Sequence, residues 1–280
     1  MKNTKVAAIQ MASGSNREAN LLEAARLLRE AAQAGARLAV LPESFDLMAR
    51  TDAERAAAAE VDGVGPVQDF LAAQARKHGL WLVGGTIPLR SDEPGRAYAS
   101  CLVFDPRGQR AARYDKIHLF DVSLSASGEE YRESATTVPG DTPVTVETEL
   151  GCVGLAVCYD LRFPELFHRL RCQGAELFVL PSAFTAVTGQ AHWSVLLRAR
   201  AIENLSYMIA AAQGGFHVSG RETYGHSQII DTWGNVLASR AGGAGVVVAD
   251  IDLAQQRRIR GQFPTLEHHR LAMPAVTETL

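Results

Sequence analysis

The sequence lacks the features that mark secreted scaffolds, membrane proteins and nucleic-acid binders. Its 280 residues include only four cysteines, none of them in a CxxC pair, which indicates a reducing, cytoplasmic location rather than a disulfide scaffold. No apolar run approaches the roughly 18 residues that span a bilayer, so no membrane partner is expected. The 28 basic and 31 acidic residues give a net charge of −3, which provides no basic field for nucleic acid.

Motifs for bound cofactors are also missing. The chain contains no GxGxxG or P-loop for nucleotides and no HExxH or similar spacing for a metal, so neither a cofactor nor a metal is expected. It also has no internal repeat and no linker with a shift in composition. We therefore expect a single domain over residues 1–270 and a C-terminal tail over residues 271–280.

What the chain does contain is an alternation of predicted strands and helices. Residues 6–11 and 37–42 are apolar runs typical of buried strands, and residues 16–34 have helical spacing that ends at Gly35. Further helices are predicted over residues 66–78, 164–172 and 192–204, and further strands over residues 80–89, 97–104, 109–114, 151–157, 176–180, 207–212, 227–232, 236–238 and 245–251. Residues 122–143 are predicted to form a long functional loop. This mixture of alternation and hairpins favours an α/β architecture with mixed sheets.

Three reactive side chains directly follow predicted buried strands, where α/β folds tend to bind ligands. They are Glu43, Lys116 and Cys158. Taken singly, a cysteine at a strand end is more often a small buried hydrophobe, and a glutamate or lysine there is usually a helix-end charge or a solvated one. Cys158 differs because a tight strand-to-helix turn follows it, and backbone N–H groups at such a turn stabilise anions.

Together the three side chains are sufficient for amide hydrolysis through a thioester. A thiol is mostly protonated near neutral pH and needs a base, and a carboxylate serves if desolvation raises its pKa. A neighbouring lysine would stabilise the tetrahedral oxyanion of both half-reactions. The sequence therefore predicts Cys158 as nucleophile, Glu43 as base and Lys116 as oxyanion stabiliser.

Three segments in this order resemble the nitrilase superfamily of carbon–nitrogen hydrolases. They are LPESF at residues 41–45, YDKIHLFD at 114–121 and GLAVCYDLRFPE at 154–165. The resemblance covers residues 6 to about 270 and implies a four-layer α-β-β-α sandwich that pairs into a homodimer. It also implies the same roles for Glu43, Lys116 and Cys158, and an oxyanion contact from the backbone N–H of Tyr159.

The same resemblance implies a second glutamate that supports the lysine. Glu130 and Glu133 are both candidates, and we prefer Glu133 because the segment at residues 133–141 matches the family's Glu-Ser…Pro-Gly-Asp pattern. Arg162 is a candidate partner for a substrate carboxylate, since arginine binds carboxylates in bidentate fashion. Thr188 is a further candidate for substrate contact.

The C-terminal half is similar to the deaminated glutathione amidase branch of the superfamily. The segments PSAF at residues 181–184, TGQAHW at 188–193, YGHS at 224–227 and DTWG at 231–234 carry this similarity. Related proteins often have an acidic residue after the His-Trp pair, where this chain has Ser194. One interpretation makes a substrate site of His192, Trp193, Arg198 and Arg200. The helical spacing of Trp193, Leu196, Leu197 and Ala201 more simply predicts a packing face.

This resemblance implies an amidase that hydrolyses deaminated glutathione to 2-oxoglutarate and cysteinylglycine, a metabolite-repair reaction. The alternatives are an ω-amidase acting on 2-oxoglutaramate, or a carbon–nitrogen hydrolase acting on another small linear amide or carbamoyl compound. From a different class, a catalytically silent scaffold on this fold is disfavoured because all three reactive residue types are present.

Overall fold

Two stacked β-sheets form the centre of the protein. The computed structural model describes residues 4–124 and 128–271, and over these residues one mixed sheet has eight strands and the other has six. In chain order the strands are β1 (Thr4–Gln10), β2 (Leu38–Val40), β3 (Trp81–Val83), β4 (Ile87–Arg90), β5 (Ala97–Phe104), β6 (Arg110–Asp115), β7 (Asp121–Leu124), β8 (Glu129–Arg132), β9 (Thr137–Val138), β10 (Thr145–Thr148), β11 (Gly151–Leu155), β12 (Leu177–Ser182), β13 (Tyr207–Ala212), β14 (Gly214–Phe216), β15 (Glu222–Tyr224), β16 (Ser227–Ile230), β17 (Val236–Arg240) and β18 (Gly245–Ile251).

The strand order in each sheet mixes parallel and antiparallel neighbours. The first sheet runs β18-β1-β2-β3-β5-β4, with β6 and β9 also paired to β5, and the second runs β10-β11-β12-β13-β16-β17. The β1–β2–β3 and β11–β12–β13 pairs are parallel, whereas β18 and β16 add antiparallel neighbours. Two short hairpins, β7–β8 and β14–β15, stand apart from the main sheets. The mixed sheets predicted from the sequence are confirmed.

Helices cover the outer faces of both sheets. They are α1 (Arg17–Gln33), α2 (Asp52–Ala57), α3 (Pro66–His78), α4 (Pro164–Cys172), α5 (Ala186–Asn204) and α6 (Leu253–Gln262). One apolar cluster combines α1 and α3 with the first sheet, and a larger cluster fills the space between the sheets and extends to α4 and α5. The result is the expected four-layer α-β-β-α sandwich.

The first strand shows why this sequence forms a layered structure. Val6 and Ala8 point into the space between the sheets, whereas Ala7 and Ile9 pack with the helices on the other side. Successive side chains of a strand point to opposite faces, so a strand covered on both sides has to be apolar throughout. All four residues are fully buried.

Several predicted elements differ from the structure. The predicted strand at residues 80–89 is divided into β3 and β4, because Gly85 has a φ of +60° and a Cβ there would lie 2.1 Å from the carbonyl oxygen of Pro42. Helix α5 begins at Ala186, six residues before the predicted start, with the Thr185 side chain capping it. Helices α2 and α6 were not predicted.

Residues 122–143 do not form the long loop that we expected. They contain most of the β7–β8 hairpin, a 3₁₀ turn at Glu133–Ala135 and the short strand β9. The hairpin strands carry mainly polar, exposed or half-buried residues, so the apolar alternation that reveals a strand is missing. Of the tail predicted over residues 271–280, all but Leu271 lies outside the described residues. No helix within the described ranges combines the length and apolarity needed to cross a membrane.

Burial on α1 leads to a matched pair of stability predictions. Leu27 is fully buried, whereas Leu22 on the same helix is 74% exposed. Leu27→Ala removes packed methyl groups and should lower the free energy of unfolding by about 2–5 kcal/mol. Leu22→Ala should change it by less than about 0.5 kcal/mol, since helix propensity differs little between the two residues. Urea unfolding of both variants measures this difference, and equal losses would contradict the predicted packing of α1.

Candidate active site

The two sheets bring the three predicted reactive residues to one end of the sandwich. Glu43 follows β2 and Lys116 follows β6 in the first sheet, while Cys158 follows β11 in the second. All three side chains are buried and line the same cavity. The three positions that follow strand ends therefore converge on one cavity.

The Lys116 ammonium lies between two buried carboxylates. Its Nζ is 3.0 Å from Oε1 of Glu43, and 2.9 and 2.8 Å from the two oxygens of Glu133. Backbone N–H groups donate to the same carboxylates, from Ala183 to Glu43 at 2.8 Å and from Phe120 to Glu133 at 2.7 Å. Buried charges are tolerated when they are paired and hydrogen-bonded in this way. The Glu43, Lys116 and Glu133 side chains thus hold one another in fixed positions.

The two candidate glutamates have different surroundings. Glu133 is 8% exposed and contacts Lys116 through both of its oxygens. The Glu130 carboxylate lies at the surface, where it accepts a hydrogen bond from Arg132 at 3.0 Å. The lysine contact therefore belongs to Glu133.

The Glu43 carboxyl has the opposite pKa shift from the one that desolvation alone predicts. Burial raises its pKa, but the Lys116 ammonium, the thiol of Cys158 and the Arg221 guanidinium outweigh burial and hold the pKa below its usual value. Glu43 is therefore ionised in the resting protein. The expectation of a desolvated carboxyl with a raised pKa was wrong, because it did not include these neighbouring donors and cations.

Cys158 begins a 3₁₀ turn, Cys158–Arg162, with a φ of +48°, a conformation that non-glycine residues seldom adopt. Burial raises the pKa of its thiol, and the Glu43 carboxylate raises it further, while Lys116 and Arg221 act in the opposite direction. The thiol is consequently protonated at rest beside the Glu43 carboxylate. An ionised carboxylate beside a protonated thiol is the arrangement that proton transfer to a base requires.

A buried aspartate ties the nucleophile turn to the segment that carries the lysine. Oδ2 of Asp160 accepts hydrogen bonds from the Tyr114 hydroxyl at 2.6 Å and from the Val157 N–H at 2.8 Å. Its Oδ1 accepts from the backbone N–H of His118 at 3.1 Å and lies 2.7 Å from Nδ1 of the same residue. Burial and the Asp160 carboxylate raise the pKa of Tyr114, so its hydroxyl remains a donor. Asp160 thereby links the end of β6 to the turn of Cys158.

The cavity above these residues has a volume of about 420 Å³, within the range of small-molecule sites. Its wall includes four aromatic side chains, from Phe120, Tyr131, Tyr159 and Phe184. No group of three or more His, Cys, Asp or Glu side chains placed to hold a metal ion occurs in the described part of the chain.

The predicted substrate contacts are divided between the cavity and its surroundings. Tyr159 and Thr188 line the cavity, and the Thr188 hydroxyl is 2.7 Å from that of Thr185. Arg162 is not part of the wall. Its guanidinium donates to Nδ1 of His192 at 3.2 Å and lies 5.1 Å from the ring centroid of Phe184. The structure therefore does not bring Arg162 into contact with the cavity.

Trp193, Arg198 and Arg200 on α5 make packing contacts. Trp193 is fully buried and its indole donates to the carbonyl of His226 at 2.8 Å. Arg198 and Arg200 donate to backbone carbonyls on neighbouring segments, at 2.8 and 2.9 Å. None of the three is part of the cavity wall. Trp193, Leu197 and Ala201 are fully buried, as expected for the predicted packing face.

One charged residue of the wall was missed by the sequence analysis. Arg221 follows the β14 strand and precedes β15, and its guanidinium reaches the cavity, where it donates to the carbonyl oxygen of Ala183. Its position three residues before the family-like segment YGHS carries no chemical signature of its own. Only the folding of the hairpin over the cavity reveals it.

The chain is similar in sequence and in fold to known proteins. Residues 5–260 match the sequence profile of the family described as "Carbon-nitrogen hydrolase". The chain is 41% identical to a protein of Yersinia enterocolitica named deaminated glutathione amidase, over 99% of this chain and 96% of that protein. It is 36% identical to the mouse (Mus musculus) protein named Omega-amidase NIT2, over 96% of each chain.

A solved structure has the same architecture. The NitFhit protein of C. elegans superposes with a TM-score of 0.88 at 35% sequence identity, over 96% of this chain. The present chain spans 65% of the length of that protein. The chain belongs to the carbon–nitrogen hydrolase family and is a hydrolase of carbon–nitrogen bonds.

Proposed function

We propose that this enzyme hydrolyses the amide bond of deaminated glutathione, releasing cysteinylglycine and 2-oxoglutarate, as a metabolite-repair reaction of the cytoplasm. The observation that carries the chemistry is the protonated Cys158 thiol beside the ionised Glu43 carboxylate, with the Lys116 ammonium 3.0 Å from that carboxylate. The choice of substrate is supported by the 41% identity to a protein named deaminated glutathione amidase.

The first half-reaction forms a thioester. Glu43 removes the thiol proton while the sulfur of Cys158 attacks the amide carbonyl carbon. The Lys116 ammonium and the backbone N–H of Tyr159 stabilise the resulting oxyanion. When the tetrahedral intermediate collapses, the C–N bond breaks and Glu43 returns its proton to the departing amine, so that cysteinylglycine leaves as a neutral amine.

The second half-reaction uses the same groups on water. Glu43 accepts a proton from water as the oxygen attacks the thioester carbonyl, and the same two donors stabilise the second oxyanion. The C–S bond then breaks, the thiolate recovers its proton from Glu43, and 2-oxoglutarate is released. The enzyme returns to its resting state with the thiol protonated and the carboxylate ionised.

Glu133 acts on Lys116 in this mechanism. Its two oxygens, 2.8 and 2.9 Å from the ammonium, hold the lysine where it meets the oxyanion and keep it charged. The Glu133 and Glu43 carboxylates raise the pKa of Lys116 against the effect of burial, so the lysine is charged in the resting enzyme.

An ω-amidase acting on 2-oxoglutaramate is the alternative, supported by the 36% identity to the mouse ω-amidase. Both substrates supply the same 2-oxo-acid acyl group, and they differ in the leaving group, which is a dipeptide in one case and ammonia in the other. The cavity of about 420 Å³ has room for the larger substrate and favours deaminated glutathione.

Two glutamates of the same segment provide a matched test of the lysine support. Glu133→Gln removes one of the two negative charges beside the buried ammonium and should lower kcat by about two orders of magnitude. Glu130→Gln changes a surface carboxylate paired with Arg132 and should lower kcat roughly twofold at most. Steady-state kinetics of both variants, with thermal unfolding as a check on folding, measures the ranking. The reverse ranking would contradict the role of Glu133.

The substrate is tested by hydrolysis of deaminated glutathione and 2-oxoglutaramate in parallel, with 2-oxoglutarate release as the signal. We expect kcat/KM to be at least about tenfold higher for deaminated glutathione, equivalent to about 1.4 kcal/mol of transition-state discrimination. Cys158→Ala should retain the fold and show no turnover of either compound. A tenfold preference for 2-oxoglutaramate would instead assign the enzyme to the ω-amidase reaction, and turnover by Cys158→Ala would overturn the thioester mechanism.

We also propose that the chain is a homodimer. Several large apolar side chains of α5 and of the nearby β16–β17 turn and α6 are exposed, namely Val187, Val195, Ile202, Trp233 and Phe263. Large apolar side chains are also exposed elsewhere on the described surface, but these five lie along one helix and the segments beside it, and such a patch is typical of a protein–protein interface.

A charge placed on this region should weaken the dimer. Val195 is 68% exposed on α5, and Val195→Arg should shift the mass measured by light scattering toward that of one 30.2 kDa chain. Leu22→Arg on α1, at a site 74% exposed, is the control and should leave the dimer intact. A wild-type mass of a single chain would refute the homodimer.

A further inference from the structure

Arg221 is a cation in the cavity wall that the hydrolytic mechanism does not use. It lies in the connection between β14 and β15 and lines the same cavity as Glu43, Lys116 and Cys158. Its guanidinium is 5.4 Å from the ring centroid of Tyr131, another residue of the wall. The aromatic ring restricts the orientation of the guanidinium group, as cation–π contacts do.

The hydrogen-bonding capacity of Arg221 is largely unused. A guanidinium has five N–H donors, and here one nitrogen donates to the carbonyl of Ala183 while Nε is buried without an acceptor. Among the residues that the structure describes, Arg221 forms no ion pair with a carboxylate. A carboxylate-bearing ligand in the cavity would supply acceptors to the guanidinium N–H groups that remain unpaired.

The other cations of the cavity wall are paired with carboxylates or exposed to solvent. Lys116 is held by two carboxylates. Arg55 pairs with Asp52 at 3.1 Å and Arg132 pairs with Glu130 at 3.0 Å. Arg50 is exposed. Arg221 is therefore the wall cation that combines partial burial with donors left for a ligand.

Arg221 also lies close enough to act on the reacting groups. Its positive charge contributes to lowering the pKa of Glu43, and it opposes the increase in the pKa of Cys158 that burial causes. A substrate whose carbonyl carbon meets the Cys158 sulfur therefore has its remaining chain within the field of this guanidinium.

We propose that Arg221 binds the carboxylate of the 2-oxo-acid acyl group, and that it thereby selects anionic acyl groups over uncharged ones. This inference rests on the proposed function, in which that acyl group becomes the thioester. The carboxylate lies at the end of the acyl chain opposite to the scissile amide. Arg221 therefore binds the acyl half of the substrate and not the leaving group. Bidentate hydrogen bonding to a guanidinium gives both the affinity and the orientation.

This assignment predicts that changing Arg221 lowers kcat/KM for two substrates with different leaving groups to the same extent. Deaminated glutathione and 2-oxoglutaramate carry the same acyl carboxylate, whereas pentanamide has the same acyl chain length without it. Arg221→Gln should lower kcat/KM by about a hundredfold for both anionic substrates and by less than about threefold for pentanamide. Arg221→Lys keeps the charge but loses the bidentate geometry. Its kcat/KM for the anionic substrates should lie between the values of the wild type and of Arg221→Gln.

Arg162→Gln is the matched control, because Arg162 contacts the Phe184 ring but is not part of the cavity wall. It should leave the ratio of kcat/KM between the anionic substrates and pentanamide unchanged. A large fall in that ratio for Arg162→Gln with none for Arg221→Gln would overturn the inference in favour of the sequence prediction. Equal losses by Arg221→Gln on all three amides would also overturn it, since they would mean that Arg221 only supports Ala183 and the fold.

A binding experiment tests Arg221 independently of turnover. In a Cys158→Ala background, calorimetric titration should show at least a tenfold weaker affinity for 2-oxoglutarate when Arg221→Gln is added, and no change for pentanoate. An unchanged affinity for 2-oxoglutarate would refute the inference. If the wild-type enzyme leaves deaminated glutathione intact while this binding difference is found, the proposed reaction fails and the carboxylate site stands.

Discussion

The buried ammonium of Lys116 is the interaction on which the rest of the site depends. Two carboxylates and one ammonium lie at an end of the sandwich from which solvent is largely removed, and each is tolerable only because the others are present. Glu43 comes from the end of β2 and Glu133 from the turn after β8, so one side chain fixes two segments far apart in the chain. The contacts that position the catalytic groups are therefore the same contacts that hold these two segments together.

The second sheet is connected to these charged residues by one backbone N–H group and by one buried side chain. Ala183, after β12, donates to Glu43, and Asp160 joins the turn of Cys158 to Tyr114 at the end of β6. Because these contacts cross between the sheets, the distance from nucleophile to base is set by how the sheets stack and not by a single flexible loop. Rigid elements of this kind hold reacting groups more precisely than loops do.

Much of this could be predicted from the sequence because strand ends are local features. Apolar runs end directly before Glu43 and Cys158, and the predicted strand over residues 109–114 ends shortly before Lys116, so all three strand ends could be located in the sequence. The choice of Glu133 over Glu130 required a family pattern, since two glutamates three residues apart in a polar segment have no distinguishing periodicity. The β7–β8 hairpin was missed for the same reason, as its exposed strands lack apolar alternation.

What the sequence could not provide were the contacts made only after folding. Arg221 reaches the cavity because its hairpin folds over it, and the lowered pKa of Glu43 results from cations that are distant in the chain. The raised pKa of the Cys158 thiol also affects how readily its sulfur is oxidised. Peroxides and electrophiles react with thiolates, so a nucleophile kept protonated and buried until a substrate arrives is protected from oxidative inactivation between turnovers.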